Sequence, residues 1–217
     1  MKKIISIITS LFFLSTFAAK AEIGVGISGA LHMMDASGTE TTRESGEKNS
    51  GGISEDVGVP ELFIETIGDN GITFGLSYIP TRSVGTKSRV DAESPGDTDS
   101  DDGTYKAEAE LDNVFAAYVD LPMTEAFGAS VYAKLGIQHV TLVTLESLNS
   151  GATYPNQDLF GYTIGLGMKG DLPYGNTYYK AELAYTDFES YEADGAGNTV
   201  KADLEDIAAR VSIGYKF

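Results

Sequence analysis

Cysteine is absent from the 217 residues, and tryptophan with it. Without cysteine there can be no disulfide framework, no thiolate metal site and no lipid-modified N-terminal cysteine. Basic residues are scarce: 15 Lys and Arg stand against 32 Asp and Glu, for a formal net charge of −17. Three of those bases, Lys2, Lys3 and Lys20, lie in the first 21 residues, so the remainder is more acidic still. Such a balance disfavours nucleic acid or a bare phosphate surface as a direct partner. Long apolar runs are missing as well. After residue 21 nothing approaches the roughly 20 residues that a membrane-spanning helix needs.

What is present begins with an export signal in form. Lys2 and Lys3 precede an apolar stretch from Ile4 to Phe17, and Ala19-Lys20-Ala21 offers a small-x-small cleavage site. Residues 1–21 therefore read as a cleaved signal peptide, and residues 22–217 as a single domain.

The last eleven residues carry the strongest pattern. Ile207, Ala209, Val211, Ile213, Tyr215 and Phe217 are apolar, while Ala208, Arg210, Ser212, Gly214 and Lys216 are small or charged. In a strand, alternate side chains point to opposite faces, which makes one face greasy and the other polar. The length suits a tilted strand crossing a bilayer, which takes about 9–11 residues.

Seven further segments alternate in the same way, at about 23–33, 59–67, 72–80, 106–121, 130–138, 160–169 and 178–186. Repeated period-2 segments of about ten residues, with turn residues between them, are the signature of a membrane barrel. Short connections at Gly68-Asp69-Asn70-Gly71, Pro122 to Gly128 and Asp171 to Asn176 alternate with long polar ones at 34–57, 81–104, 144–158 and 188–204. The spacing predicts an all-β fold, an eight-stranded antiparallel up-and-down transmembrane β-barrel. Outer-membrane barrels have short periplasmic turns and longer outer loops, so the loops are expected to face outward and both termini to lie in the periplasm. A soluble β-barrel or sandwich, with the apolar faces as its core, is the competing fold.

Several stretches resemble the small eight-stranded outer-membrane barrel superfamily, the opacity-protein, OmpA-barrel, OmpX and OmpW group. They are the terminal Tyr215-Lys216-Phe217, the Gly-rich Phe160-Gly161-Tyr162-Thr163-Ile164-Gly165-Leu166-Gly167, and Ala181 to Phe188 with its Tyr-Thr-Asp-Phe ending. The resemblance implies residence in the bacterial outer membrane, with Tyr215 and Phe217 serving as the signal read by the barrel assembly machinery. It also implies contact with outer-membrane lipid and lipopolysaccharide, and a monomer. Because the chain ends with the barrel, no peptidoglycan-binding domain is expected.

The polar faces gather Glu61, Asp112, Lys134, Lys180, Glu182 and Arg210 near mid-barrel. A charge buried without a partner is costly, so these are expected to form a paired lumen network. Arg210 is its expected hub, bonded to Asp112 or Glu182, because a guanidinium holds carboxylates directionally. The alternative is a narrow polar channel for small solutes.

Other chemistry is thin. Asp97, Asp99, Asp101 and Glu108 match positions 1, 3, 5 and 12 of a calcium loop, but Asp102 stands where glycine is required. A solvated acidic loop is the better reading, and divalent cations could bind it weakly. His32 reads as a polar filler of the lumen. His139 and Thr141 share an outward face, which resembles the His-x-Ser pair of lipid A deacylases, but Thr replaces Ser and no orienting carboxylate is evident beside them. No cofactor motif and no catalytic residue is assigned. The function expected is structural and surface-interactive: envelope integrity, with acidic outer loops contacting lipopolysaccharide, cations, phage or host surfaces.

Overall fold

Alternation of side-chain faces becomes a closed wall in the computed structural model, which describes residues 21–42, 46, 48–91, 103–147, 154–195 and 198–217. Among the described residues ten strands run β1 Glu22–Thr42, β2 Lys48–Ile67, β3 Thr73–Ile79, β4 Arg82–Asp91, β5 Gly103–Ala126, β6 Ala129–Ser147, β7 Gln157–Asp171, β8 Thr177–Phe188, β9 Tyr191–Asp194 and β10 Asn198–Lys216. Neighbours pair antiparallel in the order β1-β2-β3-β5-β6-β7-β8-β10, and β10 returns to β1. The closing ladder runs from Gly24↔Lys216 to Thr42↔Asn198. β4 continues the line of β3 along β5, and β9 continues that of β8 along β10. The wall is therefore an eight-stranded up-and-down barrel, as the periodicity predicts.

The three short turns cluster at one end, here the turn end, together with both strand termini of the closing ladder. At Gly68–Gly71 the Gly71 N–H donates to the Gly68 carbonyl at 2.8 Å, and Asn70 Oδ1 accepts from Ile72 N at 3.1 Å. The second turn is shorter than the predicted Pro122 to Gly128. Strand pairing continues to Ala126↔Ala129, leaving Phe127 and Gly128 at φ 55° and 76°. Two successive positive φ values suit a two-residue hairpin whose twist matches the strands. Pro122 is accommodated inside β5 beside a bulge between Pro122 and Thr124.

At the opposite, hairpin end the predicted long loops 34–57, 81–104, 144–158 and 188–204 are largely wall. β1 pairs β2 out to Thr41↔Lys48, and β5 pairs β6 out to Lys106↔Ser147. These stretches lose the outward apolar alternation but keep their backbone partners. A hydropathy pattern registers only the first of those properties.

The facing of side chains agrees with the sequence over most of the wall. Ile64 is 49% exposed and Glu65 2%, and along β10 Ile207, Val211 and Ile213 point out while Asp206, Arg210 and Ser212 point in. The upper part of β5 is the exception. Leu111 is fully buried, whereas Asp112 lies outside, the reverse of the predicted faces. Between Asp112↔Thr141 and Phe115↔His139 one extra residue enters β5, with Asn113 at φ 52°. A one-residue bulge flips every side chain beyond it to the other face.

Polarity also inverts along the barrel axis. Toward the turn end the outside is apolar and the inside polar. Toward the hairpin end the inside is a packed apolar layer that includes Met34, Ile79, Leu111, Val114, Val140, Leu159, Phe188 and Leu204. The outside there carries Asp35, Asp112, Asp158, Asp187 and Glu205. The hairpin end is thus built like a small water-soluble barrel.

Aromatic rings fill the narrow interior by lying over glycines paired with them on the neighbouring strand. A Cβ on Gly75 would overlap the Tyr118 ring, and one on Gly167 the Tyr132 ring. Gly75→Val should therefore lower barrel stability by about 1–3 kcal/mol. Gly29→Ala, with open space around it, should change it by less than about 0.5 kcal/mol. Urea unfolding followed by far-UV circular dichroism would check both, since no tryptophan is present to report by fluorescence.

Candidate functional site

The inward polar faces of the turn-end half meet in two chains of paired polar and charged side chains. The first runs Glu65–Lys180–Asp120–Lys134–Glu182. Lys180 Nζ donates to Glu65 Oε2 at 2.9 Å and to Asp120 Oδ2 at 2.8 Å. Lys134 Nζ lies 2.9 Å from Asp120 Oδ1 and 2.8 Å from Glu182 Oε1. Tyr118 and Tyr178 hydroxyls donate to the two oxygens of Glu65 at 2.7 and 2.9 Å. Lys134 also stands 3.4 Å above the Tyr118 ring centroid, a cation–π contact.

The second chain runs Arg82–Asp206–His32–Glu61–Arg210. Arg210 Nε donates to Glu61 Oε2 at 2.8 Å. The His32 ring, wholly buried, places Nε2 2.9 Å from Glu61 Oε1 and Nδ1 2.7 Å from Asp206 Oδ2. Arg82 Nη2 reaches the same Asp206 oxygen at 3.4 Å. Beside these chains, Gln138 Nε2 donates to the hydroxyls of Thr163 and Thr186 at 3.2 and 3.1 Å. Ser28 and Ser212 share a hydrogen bond of 2.8 Å.

Of the six charges the sequence places at mid-barrel, Glu61, Lys134, Lys180, Glu182 and Arg210 converge there. Asp112 does not. The β5 bulge turns it outward, where it accepts from Thr81 Oγ1 and, at 2.7 Å, from Asn113 Nδ2. The partner of Arg210 differs as well. Glu182, opposite Arg210 in the β8–β10 register, is held by Lys134, and Arg210 turns instead to Glu61 across β1.

Sequence reasoning passed over Arg82 and Asp206 and gave His32 too small a part. Asp206 was legible, since extending the even-position face of β10 by one step reaches it. Arg82 was not, because the wall breaks between Ile79 and Arg82 and the parity of β4 cannot be counted from β3. Three residues of the calcium-like loop, Asp97, Asp99 and Asp101, lie outside the described residues. Glu108 sits on the outer surface and accepts from Lys106 at 2.6 Å.

His139 and Thr141 share the outward face, as expected. A carboxylate does adjoin them: Thr141 Oγ1 donates to Asp158 Oδ1 at 2.8 Å, on the neighbouring β7. It binds the hydroxyl directly, while His139 packs edge-on against Phe160 at 5.3 Å between ring centroids. A nucleophile–base–orienter series needs the carboxylate on the histidine and the histidine on the hydroxyl, which this arrangement does not provide. Among the described residues no group of three or more His, Asp or Glu is placed to hold a metal ion.

A cavity of about 40 Å³ remains between the walls, lined by Glu61, Tyr118, Lys134, Lys180 and Arg210 among others. A water needs roughly 10–15 Å³ of such volume, so this space has room for a few waters and for no larger solute. On the hairpin side of it lies the apolar layer.

Comparison with known proteins agrees with this architecture. The family model described as outer membrane protein beta-barrel domain matches residues 4–217. A 70-residue stretch is 36% identical to the 25 kDa outer-membrane immunogenic protein of Brucella canis, spanning 32% of this chain and 32% of that one. Among solved structures, the outer membrane protease OmpT of Escherichia coli is similar over 90% of this chain and 97% of its own, at 10% identity and a TM-score of 0.47. Neisserial surface protein A is similar over 87% of this chain and 97% of its own, at 12% identity and a TM-score of 0.39. Both scores are below 0.5, and no functional implication follows from either.

Removing Arg210 strands the Glu61 carboxylate in the interior. Arg210→Ala should destabilise the barrel by about 3–5 kcal/mol, the range seen when one partner of a buried pair is lost. Glu61→Gln in the same chain should recover part of that loss. Asp112→Ala, on the outer wall, should cost less than about 1 kcal/mol. Urea unfolding of the refolded variants measures all three.

Proposed function

The chain belongs to the outer membrane protein β-barrel domain family and resides in the outer membrane, and from that premise we propose that it is a closed structural barrel whose hairpin end works at the cell surface. The observation that carries this reading is the filled interior. Two charge chains span the turn-end half, an apolar layer occupies the hairpin-end half, and the cavity between them measures only about 40 Å³. Eight strands leave an interior just wide enough for side chains to fill. Conduction would require continuous water along the axis, and hence the undoing of both layers. The role is then envelope integrity and surface contact, without catalysis.

The hairpin end faces outward in this proposal, and the termini lie in the periplasm after removal of residues 1–21. The inverted polarity supports it. An apolar interior under a carboxylate-bearing outer wall suits strands that leave the membrane and continue into water. Asp35, Glu205 and Asp187 stand side by side in register on β1, β10 and β8. Like charges directly opposite repel, so contact with phosphate-bearing lipopolysaccharide runs through divalent cations gathered diffusely over this acidic face and not through a built metal site. Tyr215 and Phe217, in edge contact at 5.0 Å, present the aromatic ending to the assembly machinery, and the barrel functions as a monomer.

Single-channel recording of the refolded protein decides between scaffold and pore. The expected trace matches a protein-free bilayer. Steady, ion-selective conductance that Arg210→Ala leaves unchanged would establish the channel instead.

Orientation and assembly have separate checks on cells. An epitope inserted at Gly51 should be labelled on intact cells and one at Asn70 only after permeabilisation. Labelling at Asn70 on intact cells would reverse the orientation. Phe217→Ala should reduce the heat-modifiable form in the outer membrane, and equal amounts in both strains would remove the aromatic ending from the assembly signal.

A further inference from the structure

One seam of the wall has no ladder. β2 pairs β3 as far as Leu62↔Tyr78. Beyond that level, among the described residues, the β2 ladder runs to β1 alone and the β4 ladder to β5 alone. Continuing the β2–β3 register two steps sets Pro60 opposite Pro80. Neither proline has an N–H with which to carry the ladder on. β4 then has its own irregularity, a register shift between Ser83 and Gly85 with Gly85 at φ 133°. Side chains bridge the seam instead. Ile53 occupies the space that a Cβ on Gly85 would need, and Lys87 Nζ donates to the Gly52 carbonyl at 3.4 Å.

The seam opens where the outward apolar band ends. Leu62 and Tyr78, the last paired residues, are exposed and apolar. The outward residues that follow include Asp56 on β2 and Thr81 before β4. In hydrocarbon every backbone group must be paired, so two bare edges can stand only beyond it.

These edges are suited to one kind of occupant. A proline inside a paired strand sits where its nitrogen faces away from the partner. Pro60 pairs with Gly29 of β1, so Gly58, Asp56, Ser54 and Gly52, which share its parity, turn their main-chain groups toward the seam. Their side chains are mostly small, and so are Ser83 and Gly85 opposite, which lets another backbone come close. Behind the seam Val84, Ile79 and Leu111 are fully packed, which leaves no room for a small apolar molecule to pass inward.

We propose that the β2–β4 seam is a docking edge for an extended polypeptide segment of a surface partner, bound by main-chain hydrogen bonds. Unpaired strand edges are ready templates for another strand, with affinity from the backbone and selectivity from alternate side chains. Docking parts β4 from β2, which now lie too close for a strand between them, and displaces the Ile53 and Lys87 side chains that hold the seam in place of a backbone ladder. The inference rests on the surface-contact reading and names the chemistry of the partner.

The probe is a fluorescein-labelled decapeptide of alternating threonine and valine, titrated onto the refolded barrel in detergent with anisotropy as readout. Saturable binding is expected. The same peptide N-methylated at alternate amides should bind at least about tenfold more weakly, as should Asp56→Pro barrel to the unmodified peptide, because each loses main-chain bonds. Asp56→Pro keeps the β1 ladder, and far-UV circular dichroism verifies that it folds. Should it fail to fold, the methylated peptide on the wild-type barrel still decides. Equal binding of the two peptides, or no saturable binding, overturns the docking edge. Saturable uptake of a spin-labelled alkane that the peptide displaces would overturn it too, making the seam an apolar passage. Steady ion conductance, by contrast, would overturn the surface-contact reading and leave the peptide result unmoved.

Discussion

The ladder that closes β1 on β10 is the constraint on which everything else depends. A sheet in hydrocarbon has no water to satisfy a free edge, so the first and last strands must meet, and they do so along the whole of β10, from Gly24↔Lys216 to Thr42↔Asn198. The number of strands in the closed wall fixes the bore, and the bore dictates the contents. Rings such as Tyr118 and Tyr132 fit only because glycines stand opposite them. The charges inside have no room to keep separate hydration shells and are therefore shared along chains, each carboxylate bonded to at least one lysine or arginine.

The same constraint explains what happens where hydrocarbon ends. Toward the hairpin end the outer wall turns acidic and the interior turns apolar, as in a soluble barrel. Backbone closure is relaxed there as well. The wall breaks between β3 and β4, again between β8 and β9, and the β2–β4 seam goes without a ladder. Pro60 and Pro80, each unable to donate, mark the level of that change. Pairing is strict where the solvent cannot substitute for it and loose where water can.

Arg82 and His32 tie the two regimes together. Arg82 starts β4, at the foot of the unpaired seam, and reaches Asp206 on β10. His32 joins that carboxylate to Glu61, and Glu61 to Arg210. One chain of ions thus fastens the loosened part of the wall to the closing ladder. Removing a carboxylate from its middle would leave cations buried without counter-charges, which costs more than any single surface contact contributes.

Much of this was written in the linear chain. Period-2 alternation determined the strands, their facing and their number, because in an extended chain the face of a side chain follows from its parity alone. The Asp-Asn-Gly turn carried the first short connection. Tertiary structure decided the rest. The single extra residue near Asn113 moved Asp112 from lumen to surface, and no pattern of residue types announces a bulge before the partner strand is known. Arg210 chose Glu61 over Glu182 because Lys134, from a third strand, had already engaged Glu182. Long hairpins expected as loops became wall, since backbone pairing continues where hydropathy no longer reports it. Parity is a local property and survives in the sequence, whereas register, partner choice and closure depend on which strands lie alongside.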